Sequence, residues 1–302
     1  MMGYVTTAAV PEATILSKAD YAAMLSKNIK QWSKLGVTMP AGKNGVVVCR
    51  RWPGSGTQAS YNWFFNNFPC TGNSLTSGVS GDVVPGRMAN SSGYGDYGLG
   101  DGDGSSAANA IGINPSVGLG YTIIENSGSG DVRKCLKAAQ NGTVYTFKGE
   151  GDVWHTVNFG IGVGTSATVA GGYGAIGVLS LDSQTKTSDG AESSWFFRPA
   201  EGKGRFYAAT QDCRIGGAAG ALTEAGVCPN RADLRDGRYD FASELTMQYL
   251  TSKHSPGQKL DFINELIDRA GAPALQALWT LALPPTYLPT ATIGVEGYDG
   301  AL

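Results

Sequence analysis

The spacing of apolar and polar positions changes several times along the chain. From 14 to 36, Leu16, Tyr21, Met24, Leu25, Ile29 and Trp32 recur mostly three to five residues apart, which predicts one face of a helix. Ser17, with Asp20 three positions on, has the form of a capping box at its start. The run Val46–Cys49 predicts a short buried strand. A Gly/Ser turn follows, and then a helix over Gln58–Asn67. The same succession returns downstream: Tyr121–Glu125 as a strand, Ser127–Asp131 as a turn and Val132–Ala139 as a helix.

Between and after these units the pattern loosens. Residues 71–120 are rich in Gly, Ser, Asn and Asp, and predict a long irregular insertion or a set of short strands. Residues 141–172 alternate (TVYTF, VNFGIGVG) and predict a β-hairpin insertion. AIGVLSL, Ala175–Leu181, predicts a buried strand, and Trp195–Arg198 and Arg205–Ala208 two more. Residues 239–250 and 258–281 predict amphipathic helices, the second carrying Phe262, Ile263, Leu266, Ile267, Leu275 and Leu278. Pro273 kinks or divides that helix, and Pro284, Pro285 and Pro289 end it. Strands alternating with helices predict an α/β fold, and no repeat of solenoid period is present.

Composition narrows the function classes. A chain of 302 residues makes one large domain or two smaller ones. Its 44 glycines are about twice the usual share. A net charge of −2 gives no electrostatic footprint for nucleic acid. No run of 18 apolar residues occurs, so no membrane span is expected. Five cysteines (Cys49, Cys70, Cys135, Cys213 and Cys228) contain no CxxC pair, and only His155 and His254 accompany them, so a zinc site is not expected. Cys213 and Cys228 bracket a Gly/Ala-rich segment and are expected to close a disulfide loop. Cys70 with Cys135 is a second candidate bridge, which leaves Cys49, on its buried strand, as the odd thiol; sequence alone leaves the connectivity open. This cysteine use leans towards an oxidising compartment. Met1–Val10 carries no basic residue, and no long apolar run follows, so a leader peptide is not read in this chain.

The most pointed stretch is RRWPGSGT, Arg50–Thr57, between the strand and the first predicted helix after it. A helix start leaves backbone N–H groups unpaired and carries partial positive charge. Gly54 and Gly56 let such a backbone approach an anion, Ser55 and Thr57 add hydroxyls, and Arg51 adds a permanently charged fork. No Lys follows Gly56, so this is not a Walker loop, and no Gly stands at 59, so it is not a dinucleotide fingerprint. The plainer reading is a Gly/Ser turn that caps a helix. The second turn allows the same two readings: Ser129 and Gly130 as a further wall of an anion cleft, or simple capping. Asp96, Asp101 and Asp103 lack the downstream Glu of a calcium loop and read as a solvated turn. His155 reads as a packed or surface histidine. Asp182, Asp233 and Asp236 form no acid–base pair, and no GxSxG elbow occurs, so no catalytic constellation is found and no cofactor is expected.

KQWSKLGVTMP…VVVCRRWPGSGTQASYNWFF resembles the phosphate-binding proteins of phosphate ABC transporters, in the order of its Trp segment, Pro, strand, Arg and Ser-Gly-Thr. GAIGVLSLD (Gly174–Asp182) and GRYDFASELTMQYL are similar to two later segments of that family. The closer likeness is to exported homologues with cysteines and insertions. The resemblance implies a type II periplasmic-binding fold, of which this chain carries mainly the second lobe and a return segment. On that division, 1–13 are a remnant of the first lobe or a crossover, 14–250 the anion-binding lobe with insertions near 71–120 and 141–172, and 251–302 a C-terminal helical extension. It also implies that Arg51, Ser55, Gly56 and Thr57 contact phosphate or a related tetrahedral oxyanion without catalysis. The expected place is the periplasm or the cell exterior, with an ABC permease or envelope protein as partner. Pro53 stands where the family commonly has an Asp that orients the Arg, and the half-site of a first lobe is not read in this chain. The large Gly-rich insertions support a different expectation, an extracellular structural or interaction protein that keeps the fold without the transport task.

Overall fold

The computed structural model describes residues 2–26, 28–52, 54–66, 102–113, 121–162 and 168–205, together with 226, 227, 229, 234, 237–242, 261, 262, 264 and 265. Cys70, Cys213, Cys228, Pro53, Asp96, Asp101, Asp233, Asp236 and His254 lie outside the described residues, as do most of the 71–120 insertion, Phe206–Ala208 and nearly all of the two predicted C-terminal helices. Among the described residues, no helix is long and apolar enough to cross a membrane.

The fold is mixed α/β with two sheets. The larger sheet contains β1 (Met2–Thr7), β2 (Val47–Arg51), β4 (Thr122–Asn126), β7 (Ala175–Ser180) and β8 (Trp195–Arg198) in the order β4-β2-β7-β1-β8. β2 runs parallel to β4, with Val47 opposite Thr122 and Arg51 opposite Asn126, and parallel to β7, with Val47 opposite Ala175. β1 runs antiparallel to both neighbours, with Met2 opposite Ser180 and Tyr4 opposite Arg198. Residues 2–7, grouped in the sequence reading with a remnant or crossover, are therefore an inner strand of this sheet.

The strands are buried along nearly their whole length because both faces are covered. On one face, α1 (Lys18–Leu25) and α2 (Gly56–Asn66) bury Tyr21, Met24, Tyr61, Phe64 and Phe65 against Tyr4, Val46, Val48, Ile123 and Val178. On the other face, α3 (Ser129–Asn141) buries Val132, Cys135 and Leu136 against Val5, Val47, Cys49, Ile124 and Leu179. The second sheet joins β3 (Ile111–Ile113), β5 (Val144–Lys148) and β6 (Trp154–Asn158) in the order β3-β6-β5. β5 and β6 form the hairpin expected within 141–172. Its inner side chains Tyr145, Phe147 and Val157 join the core on the α3 face. Lys43 ties the hairpin's end to the body: fully buried, it donates to the carbonyls of Phe159 and Ile161 and lies 4.4 Å from the centre of the Tyr173 ring.

Three expectations change. The helix expected over 14–36 is α1 followed by a separate 3-10 turn, Trp32–Leu35. The Ser26 hydroxyl donates back to the Ala22 carbonyl at the end of α1, and Trp32 leaves the helix path to donate to the Gly174 carbonyl at 2.9 Å. The helix expected over 239–250 does not include 239–242, which lie outside any helix. Cys49 is not the odd thiol, and Cys135 does not pair with Cys70: Cys49 and Cys135 are bonded to each other. Cys49 points to the α3 face of β2, and Cys135 points down from α3 onto it, with their Cα atoms 6.0 Å apart.

Candidate functional site

β2 and β4 are parallel neighbours, yet β2 leads into α2 on one face while β4 leads into α3 on the other. Adjacent parallel strands whose connections diverge in this way open a crevice at their carboxyl ends, the usual ligand position in open α/β sheets. Arg51 and Asn126 are the paired last residues of the two strands, so the two turns singled out in the sequence flank this crevice.

The alternation of strand side chains divides the two arginines. Arg50 turns to the α2 face and is buried, with Nη2 2.5 Å from Glu125 Oε1. Arg51 turns to the α3 face, where its Nη1 donates to Ser129 Oγ at 3.1 Å. Among the described residues no carboxylate comes within ion-pair distance of Arg51, and its buried Nε has no hydrogen-bond partner. Burial pulls the Arg51 pKa below its ordinary value, while the charge of Asp131 pushes it back up. The guanidinium remains cationic at neutral pH.

Neighbouring side chains hold this arrangement. Gln58, buried in the first turn of α2, accepts the Arg51 backbone N–H at 3.2 Å and donates to Asn62. Asn126, also buried, donates to the carbonyls of Arg50 and Ile124. The Tyr145 hydroxyl lies 2.7 Å from Asn126 Oδ1 and 2.9 Å from the Asp131 carbonyl. The turn after β4 is thereby pinned to the hairpin as well as to β2.

The Ser55 carbonyl accepts the Ala59 N–H at 2.9 Å, which opens α2. In that position the first N–H groups of the helix, at Gly56, Thr57 and Gln58, have no acceptor within the helix. A Cβ placed on Gly54 or Gly56 would meet nothing within 4 Å. Packing therefore does not demand glycine at either position; both leave bare backbone facing open space. At α3 the capping role falls to Gly128 and Asp131, whose carboxylate accepts the Gly128 N–H at 3.2 Å and the Ser127 hydroxyl at 2.7 Å. Ser129 is free of that task and meets Arg51, while Gly130 sits beside it in the first turn.

The structure thus brings Arg51 and Ser129 into contact and sets Ser55, Gly56 and Thr57 at the start of the helix that follows Arg51. Other sequence candidates lie apart. His155 is buried in the second sheet, stacked 5.6 Å from Phe147, and burial lowers its pKa to about 4. Asp103 accepts the Ser105 N–H at 2.9 Å and closes a local turn. A groove of about 500 Å³ lined by Pro11, Thr14, Ile15, Leu35, Val37 and Lys203 contains none of the crevice residues.

Sequence reasoning missed Gln58, Asn126, Tyr145 and the Arg50–Glu125 pair. The signal for the pair was present: aligning the two strand–turn–helix units at their strand ends sets Arg50-Arg51 against Glu125-Asn126. Gln58 and Asn126 act through backbone groups, which leaves no spacing signature. No protein-family model, curated protein or solved structure matches the chain.

Proposed function

We propose that the protein binds phosphate or a related tetrahedral oxyanion, without catalysis, in the crevice between the ends of β2 and β4. The observation that carries this reading is Arg51: a cation with a buried, unpartnered Nε, standing between two helix starts at a topological switch point. Each charge-assisted hydrogen bond to such a ligand contributes roughly 1.5–3 kcal/mol. The ligand's contacts are the Arg51 guanidinium, the Ser55 and Thr57 hydroxyls, the Gly56 and Thr57 N–H groups, and Ser129 with Gly130 from the second turn. Asp131, whose carboxylate already occupies the start of α3, weakens that wall for a fully ionised anion.

The same reading takes the fold as one lobe of a type II periplasmic-binding protein. Two passes of chain lie side by side at the crevice rim, as a second lobe covering it requires. Met2, at the rim end of the antiparallel β1, donates its N–H to the Phe241 carbonyl at 3.1 Å, and the Tyr239 hydroxyl donates to the Met2 carbonyl at 2.6 Å. Phe241 is locked there by stacking on Phe64 of α2, with ring centres 4.1 Å apart. The buried Cys49–Cys135 disulfide is compatible with an exported protein working in the periplasm or outside the cell, beside a permease or another envelope protein.

On this reading the described half-site binds weakly by itself. Titration calorimetry with phosphate, arsenate and sulfate at fixed ionic strength tests it. Saturable heat with phosphate and arsenate supports the reading. Absence of saturable heat with every oxyanion removes it.

A further inference from the structure

We infer that the Cys49–Cys135 disulfide is a positioning crosslink for the crevice: it fixes the start of α3 against the end of β2 and thereby sets the oxyanion affinity. This rests on the binding reading above and adds to it what holds the two walls in register.

The two walls are distant in sequence. Arg51 and Ser129 are 78 positions apart, and the disulfide spans a separation of 86. Cys49 precedes Arg51 by two residues on β2, so both side chains project from the face that meets α3. Cys135 follows Ser129 by six residues on α3, roughly 9 Å along the axis at 1.5 Å per residue. The covalent bond and the Arg51–Ser129 hydrogen bond are therefore two successive ties between one strand and one helix. The bond is fully buried at both ends, whereas the hydrogen bond sits at the partly buried rim. With the helix anchored about 1.7 turns below its start, Ser129 moves relative to Arg51 only if the first turn bends or the core under Val132 and Leu136 shifts. Without the anchor, non-covalent packing alone holds the helix, and its slide or rotation carries Ser129 and Gly130 away from Arg51. Preorganisation of this kind raises affinity by lowering the ordering cost on binding.

The test is the Cys49→Val/Cys135→Ala protein, which keeps the strand position filled, compared with wild type at a temperature where both are fully folded. Amide exchange is read at Asp131 and Val132, whose N–H groups donate to the Gly128 carbonyl, and, as a control, along β4; phosphate affinity is read by NMR titration. The expected result is at least tenfold faster exchange at Asp131 and Val132 with β4 unchanged, and a phosphate Kd at least fivefold higher. Exchange at Asp131 and Val132 that is unchanged, or that rises only in step with β4, overturns the inference, as does a Kd within twofold of wild type. If the wild type shows no saturable binding, the functional reading fails on its own, and the exchange data still decide whether the crosslink positions α3. Should the double variant not fold, Cys135→Ala alone, which leaves β2 intact, carries the same two measurements.

Discussion

At the scale of single residues, the two adjacent arginines differ only in the face to which each points. Arg50 meets Glu125 inside the protein, whereas Arg51 donates to Ser129 and keeps a buried Nε without a hydrogen-bond partner. Arg51→Gln is therefore expected to weaken phosphate binding by about tenfold or more, close to 1.4 kcal/mol, with a change in thermal midpoint of only a degree or two. Glu125→Gln should do the reverse. It removes the carboxylate that meets the buried Arg50 guanidinium, at a cost on the order of 3 kcal/mol read from denaturant unfolding. His155 gives a pH signature. Its folded pKa of about 4 lies below the ordinary 6.5, so the unfolded chain holds the extra proton between those values. Stability is then full above about pH 6.5, falls as pH drops towards 4, and loses nothing further from this group below that. His155→Phe should flatten that part of the stability–pH curve; an unaltered slope would mean that another group produces it.

At the scale of elements, periodicity located both strand–turn–helix units and the hairpin, because each buries one clear apolar face locally. It failed where a distant partner decides the outcome. Trp32 keeps the helical spacing but ends in a 3-10 turn, because its indole N–H reaches the Gly174 carbonyl across the N-terminal edge of the sheet. The cysteine pairing was equally hidden, since it depends on which face of β2 meets α3. Gly174 itself shows how tight that edge is: an added Cβ would stand 2.2 Å from Trp32 Nε1. Gly174→Ala should cost about 1–3 kcal/mol by displacing the indole. Gly56→Ala, facing open space, should leave stability within about 0.5 kcal/mol while reducing oxyanion affinity. Equal losses of stability in the two variants would show that Gly56 serves the fold rather than a ligand.

At the scale of the whole molecule, the larger sheet combines a parallel triad, β4-β2-β7, with an antiparallel β1 whose start meets the 239–242 segment at the crevice rim. The alternating pattern of strands and helices made the α/β class legible, whereas the place of β1 between β7 and β8 was not, because the six residues Met2–Thr7 carry no information about strand order. The central claim is that an oxyanion sits between the two turns at that rim. Amide chemical-shift mapping during a phosphate titration, at constant ionic strength and beside Arg51→Gln, tests it most directly. The account predicts saturable shifts concentrated at Gly54–Gln58 and Ser129–Gly130 that vanish in Arg51→Gln. Shifts that never saturate, that centre on another surface, or that persist unchanged in Arg51→Gln would contradict it.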